Sequence, residues 1–328
     1  MPIALDLCHA AYAASVAASM DMQVLLGCFT PHTDFDRAKD TLVQSLTNLA
    51  DFDLNDFNTN KFDQHSLKVK LDQLKFDRLL SIADARGKAL LNGRCMQYAN
   101  GWLFGVPSEW LGSVIEPTSY RCLLKYHLGI PLSTGVVRCN ECHALMDDMG
   151  DHAISCATAG DRIAKHDTLV CSLAESLRKA NISVKTELGD PNQADQTRPG
   201  DLVLLNWREG QDLYLDFSVA STLAPSYRAL SSRKGGGSAE ERVKFKLNKY
   251  KDVVVKFEPL VVESLGGWAE SAIPLFKRFA TRISEVEIID PAKALARLLT
   301  SMSFRLQKLN GNMLAKRHCG PLSLPWSG

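Results

Sequence analysis

Between Arg162 and Val262 the apolar residues switch between helical and strand-like spacing in an order that leaves few ways to bury them. From Arg162 to Ala180, Ile163, Leu169, Val170, Leu173 and Leu177 build one apolar helical face. Three short strand candidates follow, Ser183 to Leu188, Leu202 to Leu205 and Leu213 to Val219. The turn-rich stretches Gly189 to Gly200 and Asn206 to Gln211 separate them. After Gly235 to Gly237 come a charged helix, Ala239 to Lys251, and the β-branched run Val253 to Val262. Helix, three strands, helix, strand predicts an α+β unit with a mixed sheet covered by helices.

The flanks read as helical. Leu67, Leu71, Leu74, Leu79 and Leu80 recur at helical spacing within Asp34 to Leu91, and Tyr120 to Leu128 predicts a helix stopped by Gly129 and Pro131. Ile3 to Phe29 reads as a buried helix, and Ala269 to Ile283 and Pro291 to Leu309 as amphipathic ones. Cys319 to Gly328 reads as a tail. The expected organisation is a helical region over 1–130, a cysteine-rich module over 131–160, the α+β core over 161–265 and a helical extension over 266–328.

Cys139, Cys142, His152 and Cys156 form a C-x2-C-x9-H-x3-C pattern. A close pair clamps one side of an ion and a second pair returns after a short loop, which suits tetrahedral zinc. Three thiolates and an imidazole are a ligand set zinc prefers, and a site closed by four side chains folds the segment without doing chemistry. His143 competes for the fourth position, and the alternative is that Cys156 is simply an apolar core residue.

Asp201 opens the apolar run Leu202 to Leu205, and Asp216 ends Leu213-Tyr214-Leu215 after a hairpin-length connection. A carboxylate in such a strand is costly unless something satisfies it. Adjacent antiparallel strands bring residues of this spacing side by side, so both acids can share one Mg2+ or Mn2+ ion. Phosphodiester hydrolysis uses that arrangement together with a nearby cation. Lys246 and Lys249, three apart on the following helix, are the candidates, and the competing reading leaves both in water. Glu187 is a possible third acid, read more naturally as solvated.

Charge is lopsided. Up to Asp56 there are eight acids against two bases, and from Asp201 onward nineteen bases face thirteen acids, which marks the C-terminal part as the polyanion contact. Nine cysteines without a disulfide framework point to a reducing compartment, nuclear or cytoplasmic. Asp6, His9 and Asp21 break the one oily stretch, which also lacks a basic leader, so neither a membrane span nor a secretory signal is expected. Gly235-Gly236-Gly237-Ser238 lacks the lysine of a phosphate-binding loop, and no G-x-S-x-G elbow supports a serine hydrolase. Trp207, beside Arg208 in a polar hairpin, is the tryptophan best placed to stack on a base.

The ordered set Cys139, Cys142, Gly150-Asp151-His152, Cys156, Asp161-Arg162-Ile163, His166, Arg198-Pro199-Gly200-Asp201, Asp216 and Lys246 to Tyr250 resembles the end of site-specific non-LTR retrotransposon polyproteins. There a zinc knuckle precedes a restriction-like endonuclease of the PD-(D/E)XK class, and Asn100 to Pro131 resembles the linker that joins reverse transcriptase to the knuckle. The resemblance implies an α-β-β-β-α-β core over His166 to Val262 that nicks DNA, with Asp201 and Asp216 as metal ligands and a helix lysine completing the site. It also implies nucleic-acid contacts at His166, Arg198 and Arg208, with DNA as the main partner and RNA as a further one. Three departures stand out. Gly200 separates Pro199 from the acid, Ser218 stands where the class often keeps its lysine, and no polymerase Asp-Asp motif lies upstream. The chain therefore reads as a fragment, a degraded copy or a captured gene. Ser218 supports a second reading, a nucleic-acid-binding descendant without turnover.

Overall fold

The computed structural model describes residues 64–109, 112–135, 137–186, 200–251 and 256–318. The chain forms two compact units, Met1–Ala83 and Asp84–Gly328. In the first, the described helix is α1 (Gln64–Ile82), where leucines at helical spacing predict one. The expectations for Ile3 to Phe29, Glu187, Arg198 and Cys319 to Gly328 lie outside the described residues.

The second unit opens with three helices, α2 (Ala85–Arg94), the single turn α3 (Gly101–Phe104) and α4 (Pro117–Leu128). Asp84 caps α2 by accepting from Gly87 N–H at 2.7 Å. Glu116 caps α4 through Thr118 and Ser119 N–H at 2.9 and 2.8 Å, with Pro117 in the first turn. Each cap satisfies amide donors that the helix itself leaves free.

A small module follows, with a hairpin of β1 (Val137–Arg138) and β2 (Leu145–Met146) and the short helix α5 (Asp151–Ser155). The core then runs α6 (Asp161–Lys179), β3 (Val184–Thr186), β4 (Leu202–Arg208), β5 (Gln211–Ala220), α7 (Pro225–Ser231), α8 (Gly237–Lys249) and β6 (Phe257–Glu263). Helices α9 (Ile273–Glu287) and α10 (Pro291–His318) close it. The architecture is α+β, as expected. Sequence spacing does not anticipate α7, because its seven residues are too few to set a period.

The sheet has the order β3-β4-β5-β6, with β3, β4 and β5 antiparallel and β6 parallel to β5. Leu202, Leu204, Leu213, Leu215 and Phe217 face one side and pack on Leu169, Leu173 and Leu177 of α6, Phe276 and Phe279 of α9, and Leu299 and Met302 of α10. Ala220 and Val261 face the other side and pack on Ala239 and Val243 of α8. Central β5 is thus covered on both faces, and the polar residues Asp216 and Ser218 along it lie buried, 5% and 6% exposed. No helix among the described residues is long and apolar enough to cross a membrane.

Candidate metal centre and acid pair

Hairpin and helix bring Cys139, Cys142, His152 and Cys156 together, with one ligand atom from each lying within 4.8 Å of the others. Cys139 Sγ and Cys156 Sγ are 3.9 Å apart, and Cys142 Sγ is 3.3 Å from His152 Nε2. Bonds of roughly 2.3 Å to sulfur and 2.0 Å to nitrogen give a tetrahedron with edges of about 3.5–3.8 Å, so the four atoms fit around one ion. His143 stands outside the group. It is exposed at a left-handed φ of 57°, and its N–H donates to Cys139 O at 2.9 Å.

The surroundings hold these ligands in place. Asp147 accepts from the N–H groups of Asp151 and His152 at 2.8 and 2.7 Å, which fixes the start of α5. A Cβ on Gly150 (φ 90°) would come within 2.6 Å of both Leu132 and Leu314, so the module seats on α10 only with glycine there. Burial opposes ionisation of Cys139, but N–H groups of Cys142 and Glu141 and the imidazole of His152 lower its thiol to about 6. A thiolate is the form that binds metal. All six described cysteines are free of disulfides.

Two arginines fasten the module to the rest of the unit. Arg86 grips Asp151 through two hydrogen bonds of 2.8 and 2.7 Å. Arg317, 1% exposed, donates to Asp161 Oδ2 at 2.6 Å and lies close to the Cys139 sulfur.

The acid pair sits where β4 begins. The register pairs Leu202 with Leu215, and one step further sets Asp201 opposite Asp216. Asp201 N–H donates to Leu215 O at 2.8 Å, and its Oδ2 accepts from Phe217 N–H at 2.7 Å. The side chain thereby extends the ladder one rung past the end of the strand, and the two carboxyl groups are near enough to shift each other's ionisation.

Gly200 makes this approach possible, because a Cβ there would meet Leu215 O at 2.8 Å and Leu215 N at 3.0 Å. A glycine at such a point marks one backbone pressed on another. Gly200→Ala is expected to cost about 1–3 kcal/mol by overpacking. Urea denaturation measures it, and an unchanged midpoint would show that β4 yields without strain.

Lys246 of α8 reaches this pair. Its Nζ donates to Asp216 Oδ2 at 2.5 Å, and both side chains are about nine-tenths buried. Lys249 does not reach it, since its Nζ lies 3.0 Å from the Tyr250 hydroxyl and 4.7 Å over that ring. Ser218, two residues beyond Asp216 on the same face of β5, is buried as well.

His166 adds a second cation. Its Nε2 is 3.2 Å from both Asp201 Oδ2 and Phe217 O, and its Nδ1 is 2.9 Å from Asp167 Oδ1. Burial works against its charge, but Asp201 and Asp167 raise the imidazole to about 9. His166, expected from the resemblance to touch nucleic acid, has its ring nitrogens on Asp201 and Asp167. Lys165 beside it is buried and donates to Asn310 at 3.1 Å.

Burial raises both acids. At Asp201 the hydrogen bond and charge of His166 and the N–H of Phe217 outweigh burial, and the carboxyl lies below its ordinary value. At Asp216 burial and the Asp201 charge outweigh Lys246, and the carboxyl lies above it. The two carboxyls are thus shifted in opposite directions, the Asp201 form stabilised by His166 and Phe217 N–H and the Asp216 form disfavoured by burial and by the Asp201 charge.

Arg208 lies at the opposite end of β4, paired with Gln211 across the hairpin and exposed. It is not brought to the acids. No family model matches the sequence, and no curated protein matches it significantly.

Proposed function

We propose that this protein is a metal-dependent DNA endonuclease derived from a retroelement, with a structural zinc ion at Cys139, Cys142, His152 and Cys156. The observation that carries the reading is the facing of Asp201 and Asp216 across the β4–β5 register with Lys246 on the second acid. Asp201 and Asp216 would hold Mg2+ or Mn2+, whose role when bound is to lower the pKa of a water and neutralise charge on the scissile phosphate.

The chain's own side chains do the rest. Lys246 donates a hydrogen bond at Asp216 Oδ2 and sets a fixed positive charge beside the position of the phosphate. His166 holds Asp201 by Oδ2, leaving Oδ1 to turn toward an ion. In this reading Lys246 of α8 takes the part of the lysine absent at position 218, supported by its hydrogen bond to Asp216. DNA is the substrate, and the free cysteines suit a reducing compartment, nucleus or cytoplasm.

Nicking of supercoiled plasmid in Mg2+ or Mn2+ tests the reading. The wild type is expected to relax the plasmid, and Asp216→Ala to lose at least 100-fold in rate, about the effect of removing one transition-state contact. Binding without nicking in both proteins would select the inactive nucleic-acid-binding descendant instead.

A further inference from the structure

At the far end of β4 from the acid pair lies a cavity of about 530 Å³, between the turn after α6, the β4–β5 hairpin and α9. That size suits a small ligand. Three arginines line it, Arg208 from β4 and Arg278 and Arg282 from successive turns of α9, and no aspartate or glutamate among the described residues does.

Two hydrogen-bond donors of its lining residues lack acceptors. Trp207 Nε1 and Arg278 Nε are both buried without a partner. Buried donors left unmet are costly, so they favour a ligand that brings acceptors. Arg278 is held in place by Glu258, which takes its Nη2 at 3.2 and 3.3 Å and leaves the Nε edge unspent. Arg282 pairs with exposed Glu285 at 2.7 Å, a partner easily exchanged. Exposed Arg208 has neither an ion pair nor a side-chain hydrogen bond among the described residues.

The backbone is shaped to deliver these groups. The β4–β5 register shifts between Leu204 and Arg208, and Asn206 takes a left-handed φ of 51° with its N–H on Asp212 Oδ1 at 2.8 Å. A bulge of this kind re-aims the side chains that follow. It turns Trp207 onto Phe279 of α9, ring centroids 5.5 Å apart, and so into the cavity wall.

The geometry points to a phosphate-binding cleft that accepts one nucleotide phosphate against Arg208, Arg278, Arg282 and Trp207. Guanidinium groups match phosphate oxygens in pairs, and three of them in one cleft favour an anion with several acceptors. Seven residues of strand at about 3.3 Å each put the cleft roughly 20 Å from Asp201, too far to hold the same phosphate as the acid pair. The phosphate can come from a free nucleotide or from a nucleic-acid strand, and the cleft is independent of whether the acid pair cleaves anything.

Binding of the full chain to dAMP, deoxyadenosine, inorganic phosphate and an eight-residue oligothymidylate, in EDTA and at several salt concentrations, tests this. The double variant Arg208→Ala/Arg282→Ala should bind the phosphate-bearing probes about tenfold or more weakly and show a shallower salt dependence. Both arginines are exposed, so its melting temperature should not change, and Lys244→Ala, on exposed α8 surface, should bind as the wild type does. Strong binding of dAMP and phosphate identifies a free nucleotide as the source, and binding confined to the oligothymidylate identifies a strand. Equal affinity for deoxyadenosine and dAMP, no binding of any phosphate probe, or wild-type affinity in the double variant would each overturn the assignment.

Discussion

Lys246→Ala is expected to lower phosphodiester cleavage by about 100-fold or more and, in EDTA, to lower folding stability by about 3 kcal/mol. The two effects have one electrostatic origin and separate under one condition. Without metal, the facing carboxyls of Asp201 and Asp216 are compensated by His166 on one side and Lys246 on the other. Removing one partner of a buried pair leaves its charge unpaired, which is where the stability loss arises. Adding Mg2+ replaces that positive charge and should restore most of the melting temperature. It cannot replace the hydrogen-bond donor fixed at Asp216, so cleavage stays low.

The same argument predicts a rescue. A lysine at position 218 would lie on the Asp216 face of β5, so Lys246→Ala/Ser218→Lys should recover part of the lost nicking rate. Urea denaturation with and without Mg2+, beside plasmid nicking, reads both quantities. A Lys246→Ala protein that nicks at the wild-type rate would confine Lys246 to a structural role.

Much of this pair was legible from residues alone, because a carboxylate inside an apolar strand has few tolerable fates. Asp201 and Asp216 are fifteen apart with a hairpin between them, and antiparallel pairing then sets them opposite each other. The choice between Lys246 and Lys249 was not made by spacing, because two residues three apart on a helix share a face that can turn either way. The deciding signal was the buried stripe of α8: Ala239, Val243 and Lys246 are spaced by four and three, so the lysine continues the line that packs on the sheet. His166 could have been placed by the same logic, three and four residues before Leu169 and Val170 on the buried face of α6.

Other contacts left no trace in local pattern. Arg86 meets Asp151 across 65 positions and Arg317 meets Asp161 across 156, and such pairings depend on how helices dock, which no short window of sequence encodes. The bulge at Asn206 was hidden for a related reason. An asparagine in a polar hairpin reads as a turn, and only the pairing of β4 with β5 shows that it redirects Trp207 toward α9.

Withdrawing zinc is expected to undo more than the module that binds it. Zn2+ with three thiolates and a neutral imidazole carries one net negative charge, and the guanidinium of Arg317 lies buried against Cys139 with Asp161 on its other side. Lys316 adds an ion pair to Glu141 at 2.7 Å, and Leu314 and Ala315 of α10 share a core with Ala153 and Ile154 of α5. Structural zinc in small modules is bound with about 10–16 kcal/mol, as much as the whole stability of an ordinary domain, so a segment held by it does not stay folded alone. Loss of the ion therefore releases the ligand cluster beside Arg317 and removes the apolar seat of the last turns of α10.

A strong chelator, or Cys142→Ser, should lower the melting temperature by many degrees and open cleavage sites for protease both in 139–156 and near the end of α10. Arg317→Met keeps the four ligands but removes the compensating charge, and should weaken zinc binding by about 10–100-fold without emptying the site at saturating zinc. Metal analysis of the purified chain, with limited proteolysis before and after chelation, measures these outcomes. Protein that carries no zinc yet melts and resists protease unchanged would show that Cys139, Cys142, His152 and Cys156 hold the module by packing alone, with Arg317 serving only Asp161.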